Sequence, residues 1–178
     1  MSYLFVLDCC ELIDAFENKR GNPITLLQTS KVGQMINLVR KNTTLNDEPI
    51  HLGVTHHVLD TSAYKLEVKK LHSHKKEDFL RFLIATFNRL SELGLVEYDQ
   101  VHENYQQITE MCGDGYCDFD TEDGAVLEGA KRFRRRGYKV VVVTEDTGLH
   151  GYANDENFQA VRMNDALAML TAASLVAA

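Results

Sequence analysis

Two apolar segments near opposite ends of the chain each run directly into acidic residues. The first is Tyr3–Leu7, which is followed by Asp8, and the second is Val140–Val143, which is followed by Thr144, Glu145 and Asp146. A continuous run of valines is typical of a strand that is covered on both faces, as in parallel sheets. Because the carboxyl ends of parallel strands lie along one edge of a sheet, we expect these acids to meet at that edge.

A third acidic residue, Asp123, lies at the start of a predicted helix. This helix begins at Thr121 or Glu122 and ends near Gly137. Acids at helix starts and at strand ends can share one crevice of a parallel α/β fold. Clustered carboxylates repel one another unless a cation neutralises them, and oxygen ligands suit Mg²⁺ or Mn²⁺. The three acids therefore predict a metal-dependent enzyme that acts on phosphate esters.

Predicted strands and helices alternate along the chain. Further strands are expected at Ile50–Thr55 and Gln159–Arg162, and helices at Pro23–Lys41, Thr61–Leu71, Glu77–Glu92, His102–Met111 and from Asn164 onward. Strands separated by helices indicate a parallel sheet with right-handed crossovers. We predict an α/β fold with three layers, in which a central, mostly parallel sheet is covered by helices on both faces.

Length and composition favour one domain. The chain has 178 residues, of which 44% are apolar, and it contains only two prolines. This length suffices for one well-buried core and is short for two. We therefore expect residues 1–178 to form a single domain.

The formal charge of −7 is dispersed along the chain. It argues against nonspecific binding of nucleic acid by bulk charge, although a local basic patch can still bind phosphates. The only dense basic run is Lys131–Arg136. Cations are also favoured at a helix C-terminus by the dipole, so this run has two interpretations. If it binds an RNA backbone, we expect Arg134, Arg135 and Arg136 to make the contacts.

The chain lacks the features of a membrane or secreted protein. No apolar run approaches the roughly 20 residues that cross a bilayer, and the N-terminus lacks a basic flank followed by a long apolar stretch. We expect a cytoplasmic protein without membrane contact. The four cysteines, among them the neighbours Cys9 and Cys10, are expected to be free thiols.

Three short motifs together resemble the PIN-domain nuclease family, and they occur in the order of that family. Val6–Ile13 resembles its opening strand, in which an acid precedes two small polar residues and an aliphatic pair. Asp123, with Val126 and Ala130 after it, is similar to the third acidic motif. Thr144-Glu145-Asp146 is similar to the Thr-x-Asp motif. Cys9 and Cys10 depart from the family pattern, which has Thr or Ser and then Ser or Asn.

The resemblance implies a PIN-like domain that cuts RNA endonucleolytically with Mg²⁺ or Mn²⁺. It implies metal ligands at Asp8, Asp123 and Asp146, together with a second acid on the helix after the second strand. That second acid is Glu67, with Asp60 as its competitor. Thr144 is expected to orient Asp146 or a water molecule. A homodimer and an antitoxin or RNA-processing partner are also implied by the resemblance.

Two other functions compete with a ribonuclease. One is a catalytically degenerate PIN-like module that binds RNA or a protein partner without cutting. The other is a phosphatase of the haloacid dehalogenase type, which also carries an aspartate at the end of its first strand. That chemistry needs a second aspartate two residues later, where this chain has Cys10.

Overall fold

A six-stranded, mostly parallel sheet flanked by helices forms the centre of the computed structural model, which describes residues 1–14, 23–41, 44–59, 76–99 and 121–176. The strands are β1 (Tyr3–Leu7), β2 (Thr44–Leu45), β3 (Glu48–Thr55), β4 (Val96–Asp99), β5 (Lys139–Val143) and β6 (Gln159–Val161). The helices are α1 (Cys9–Asp14), α2 (Pro23–Thr29), α3 (Lys31–Arg40), α4 (Lys76–Glu92), α5 (Thr121–Arg135), α6 (Thr147–Asp155) and α7 (Met163–Val176). The mixed α/β class and the mostly parallel sheet agree with the sequence prediction.

The order of the strands reverses between β1 and β5. β1 pairs in parallel with β3 on one side and with β5 on the other, and β6 extends the sheet beyond β5. β4 runs parallel to the second half of β3, whereas the short β2 pairs antiparallel with its first half. The chain therefore adds β3 and β4 on one side of β1, and then adds β5 and β6 on the other side. Ligands of open α/β sheets bind at such a reversal, beyond the carboxyl ends of the strands.

Apolar residues from β1 and β5 form the middle of the core. Leu4, Phe5, Val6 and Leu7 are fully buried, and Val141–Val143 are at most 1% exposed. Their side chains alternate between the two faces of the sheet, so both faces need a cover of helices. Burial of these two strands fixes the position of the residues that follow them, Asp8 and Thr144.

Helix α5 packs closely against the sheet at Gly129. A methyl group at this position would overlap Cγ2 of Thr55, the last residue of β3. Arg132, one turn further along α5, donates from Nε and Nη2 to Oδ2 of the buried Asp99 at 2.8 and 2.5 Å. A close approach and a buried ion pair thus hold α5 over the ends of β3 and β4.

The single helix predicted from Pro23 to Lys41 is wrong, because the chain forms two helices that meet at Ser30. Ser30 is extended, with φ −75° and ψ 164°, and caps α3 by accepting a hydrogen bond from the Gly33 N–H. Its hydroxyl also donates to the Leu27 carbonyl at 2.6 Å. A serine that bonds its own backbone in this way favours a helix start over a helix interior.

Two further predictions, Thr61–Leu71 and His102–Met111, lie outside the described residues. The strands β2 and β4 were not predicted, since they contain only two and four residues. Among the helices that the structure describes, none combines the length and the apolar character needed to span a membrane.

Candidate functional site at the carboxyl edge of the sheet

Asp8 is a buried carboxylate that three hydrogen-bond donors hold in place. Its backbone N–H donates to the Val143 carbonyl at 3.1 Å, and the residue is only 4% exposed. Oδ1 accepts the backbone N–H of Cys9 at 2.5 Å. Oδ2 accepts the Thr144 hydroxyl at 2.8 Å and the Cys10 thiol at 2.9 Å. The donors come from the ends of both β1 and β5, so Asp8 lies at the reversal of the strand order.

Thr144 connects Asp8 to Asp146. It is fully buried, and while its hydroxyl donates its one proton to Asp8, its oxygen accepts the backbone N–H of Asp146 at 3.0 Å. Asp146 then caps α6, with Oδ1 accepting the Leu149 N–H at 2.9 Å. Unlike Asp8, Asp146 is exposed to solvent. One hydroxyl therefore sets the positions of both aspartates.

Cys10 acts as a donor to Asp8 in its thiol form. Burial raises the pKa of the Cys10 thiol, and the negative charge of Asp8 raises it further. The thiol therefore stays protonated at neutral pH and retains the proton that bonds Oδ2 of Asp8.

Glu11 is a buried acid of this edge that the sequence reasoning missed. It is 5% exposed, and its Oε1 lies 3.7 Å from the Cys10 sulfur. Burial raises the pKa of Glu11 from 4.5 to about 7, and the charges of Glu145 and Asp8 add to the effect. The sequence carried one signal for Glu11. It lies three residues after Asp8 at the start of a helix, and residues with this spacing share a helix face.

Replacing Glu11 with Gln is expected to flatten the dependence of stability on pH. Folding raises the pKa of Glu11. Below about pH 4.5 its carboxyl group is protonated in both the folded and the unfolded protein, so it causes no pH-dependent loss of stability there. Stability then falls as the pH rises to about 7. At about 1.36 kcal/mol per pKa unit, the wild type should lose about 3 kcal/mol of unfolding free energy that Glu11→Gln retains. Urea denaturation between pH 4.5 and 8 measures this difference. Glu92→Gln, at an exposed acid, is the matched control, and equal pH profiles for all three proteins would contradict the assignment.

Asp123 lies in the first turn of α5 and is half-buried. The last turn of α5 leads through Gly137 into β5, so the helix runs opposite to β5. Its first turn therefore lies toward the carboxyl edge, the same edge as Asp8 and Asp146. Both candidates for the second acid, Glu67 and Asp60, lie outside the described residues.

The predicted RNA contacts of α5 lie toward the opposite edge of the sheet. Arg134 donates to the Glu156 carbonyl at 3.1 Å, just before β6 begins, and Arg136 pairs with Glu97 at 2.8 Å. Arg135 is exposed to solvent. At 1.5 Å per residue, the length of α5 separates these arginines from Asp123 by about 20 Å.

Asp8, Asp123 and Asp146 lie toward the same edge, and carboxylate oxygens are ligands that suit a hard cation. Burial is the largest cause of the raised pKa of Glu11, and the charges of Glu145 and Asp8 add to it. Within the described ranges, no three His, Cys, Asp or Glu side chains form a group that could hold a metal ion. Asp8, Asp123 and Asp146 therefore lie toward one edge without forming such a group.

Comparisons with known proteins do not assign a family. No protein-family model and no curated protein matches this chain. One matching solved structure is a domain of a functionally unknown protein from Methanocaldococcus jannaschii DSM 2661. It shares 17% sequence identity over 90% of this chain and 91% of that chain, with a TM-score of 0.48. A likeness at this level supports no statement about function.

Proposed function

We propose that this chain is a metal-dependent ribonuclease with a PIN-like, three-layer α/β/α fold, which hydrolyses phosphodiester bonds within RNA. The main support is the environment of Asp8. This carboxylate is buried at the reversal of the strand order, is held by three donors, and lies beside a second buried acid whose pKa is raised to about 7. Acidic clusters at this position of a parallel sheet have a physical reason to bind cations.

The proposed ligands of Mg²⁺ or Mn²⁺ are Asp8, Asp123, Asp146 and Glu67, with Asp60 as the competitor of Glu67. A bound cation of this kind lowers the pKa of water and neutralises charge on a phosphate. The protein supplies the orientation of the carboxylates. Thr144 and Cys10 donate to the same oxygen of Asp8, so its carboxylate cannot rotate without breaking two hydrogen bonds. Thr144 also fixes the backbone of Asp146.

Glu11 has a separate role in this proposal. It is buried next to Asp8, and with a pKa of about 7 it can exchange a proton near neutral pH. A bound cation would favour the ionised form of Glu11, which would then add its negative charge to the site. The RNA contacts proposed for Arg134, Arg135 and Arg136 require an RNA molecule that extends over the length of α5.

A PIN-like module that binds RNA or a protein partner without cutting is the second candidate. One observation favours it: both oxygens of Asp8 and one oxygen of Asp146 already accept hydrogen bonds from this chain. Buried polar groups that are satisfied internally can serve structure alone. Catalysis therefore has to be measured separately from binding.

The test is incubation of the purified protein with end-labelled single-stranded RNA in Mn²⁺, Mg²⁺ or EDTA. The proposal expects internal cuts that need the metal and stop with EDTA. RNA that stays intact in both metals while it shifts in a gel would favour the binding module. Intact RNA without a shift would exclude both candidates for this substrate.

A further inference from the structure

Two cations lie at the same edge of the sheet as the acids, away from the arginines of α5. They are Arg162, which directly follows β6, and Lys31, which begins α3. Around them lie the acids Asp8, Glu11, Glu145 and Asp146. A polyanion that approaches this edge meets mostly negative charge, so its binding there needs cations close by.

Pairing between β5 and β6 places Arg162 next to Thr144. Val143 pairs with Val161, and the Thr144 N–H donates to the Val161 carbonyl at 3.1 Å. Arg162 is thus one residue beyond the strand pair that positions Thr144 and Asp146. Its Nη1 lies 3.4 Å from Oε2 of Glu145, and its side chain is 57% exposed. The guanidinium therefore lies in solvent beside the proposed reaction site.

The ion pair of Arg162 with Glu145 is weak enough to exchange partners. Exposed pairs of this kind contribute about 0 to 1 kcal/mol. A guanidinium binds a phosphate, like a carboxylate, in a bidentate geometry through charge-assisted hydrogen bonds. A backbone phosphate can therefore take the place of Glu145 at little cost.

Lys31 lies toward the carboxyl edge because the end of α3 leads through β2 to the start of β3. It is exposed in the first turn of the helix, where the dipole disfavours a cation. Its charge acts on Glu11, whose pKa it lowers against the stronger opposing effects of burial and the neighbouring acids. Glu145, the partner of Arg162, also acts on Glu11, so both cations belong to the same group of charges.

We propose that Arg162 and Lys31 contact backbone phosphates of single-stranded RNA at the carboxyl edge of the sheet. The inference rests on the proposed function, because it takes the acids beside the two cations as the reaction site. It assigns binding of the RNA to residues that the sequence motifs did not include. The arginines at the far end of α5 then make at most a secondary contribution.

The experiment compares Arg162→Gln and Lys31→Gln with wild type, and Arg89→Gln is the matched control, since Arg89 is an exposed arginine that pairs with Glu92 at 2.7 Å near the end of α4. With Mn²⁺ we expect KM for labelled single-stranded RNA to rise about 3- to 10-fold in the first two variants, with kcat within about twofold. The slope of log(kcat/KM) against log[salt] should become shallower by about 0.7 in each. Glu145→Gln frees Arg162 and removes a repelling charge, so its KM should fall.

RNA binding measured by fluorescence anisotropy in Ca²⁺ separates this inference from the proposed function. Weaker binding by Arg162→Gln and Lys31→Gln, but not by Arg89→Gln, supports it whether or not the wild type cuts. Unchanged binding and an unchanged salt slope in both variants would overturn it, as would a larger loss in Arg89→Gln. Absence of RNA binding by the wild type would also overturn it.

Discussion

Asp8→Asn is expected to lower metal-dependent RNA cleavage by at least about 100-fold. The substitution removes a charge from the proposed cation site while keeping the size of the side chain. It also places an amide where three donors converge, so that its NH₂ group must face one of the donors that now bond Oδ1 and Oδ2. Initial rates of cleavage in Mn²⁺ measure the loss.

Asp165→Asn is the matched control for this prediction. Asp165 is an exposed acid in the first turn of α7, and its replacement should leave the rate within about twofold. Circular dichroism without metal checks that Asp8→Asn is still folded. A folded Asp8→Asn protein that cuts RNA at the wild-type rate would exclude Asp8 from the site.

Gly129→Ala is expected to destabilise the protein by about 1 to 3 kcal/mol, although alanine normally stabilises a helix relative to glycine. The reason is the close approach of α5 to β3, where the new methyl group would overlap Cγ2 of Thr55. Thr55 is buried and its hydroxyl accepts the Val58 N–H at 3.1 Å, so the side chain cannot turn away freely. The free energy of unfolding in urea gives the sign and the size of the effect.

Thr55→Ser should rescue Gly129→Ala, because serine keeps the hydroxyl and lacks the overlapping methyl group. A coupling energy of about 1 kcal/mol or more is expected between the two substitutions. Gly151→Ala is the control, since nothing lies within 4 Å of a methyl group at that exposed position of α6. It should stabilise the protein by up to about 1 kcal/mol. If Gly129→Ala stabilised the protein as well, the close approach would be refuted.

Much of the fold could be predicted from the sequence because its strongest signals are local. The valine run indicates β5, observed as Lys139–Val143, and Gly94 and Gly137 end helices with φ of 69° and 94°. The break at Ser30 was missed because its apolar neighbours keep a helical spacing across it. β4 was missed because Val96–Asp99 is short and depends on pairing with β3.

The candidate site was only partly predictable. Acids that directly follow strands, such as Asp8, can be found from the pattern, since the strand direction fixes their edge. Glu11 appears in the sequence as an ordinary helix residue, and its burial depends on helices that pack around it. Arg162 becomes notable only when β6 pairs with β5 and brings it next to Thr144. Contacts of this kind depend on tertiary structure, which residue spacing alone does not specify.

Titration of the melting temperature with Mn²⁺ at pH 7.5 would show whether the edge of the sheet binds a cation through Asp8. For the wild type we expect the melting temperature to rise with the logarithm of the Mn²⁺ concentration. At a concentration of 100 times Kd, the added free energy of unfolding is about 2.7 kcal/mol. Asp8→Asn should show little or no rise, and Asp165→Asn should follow the wild type. An equal rise in the wild type and in Asp8→Asn, or no rise in the wild type, would contradict a metal site at Asp8.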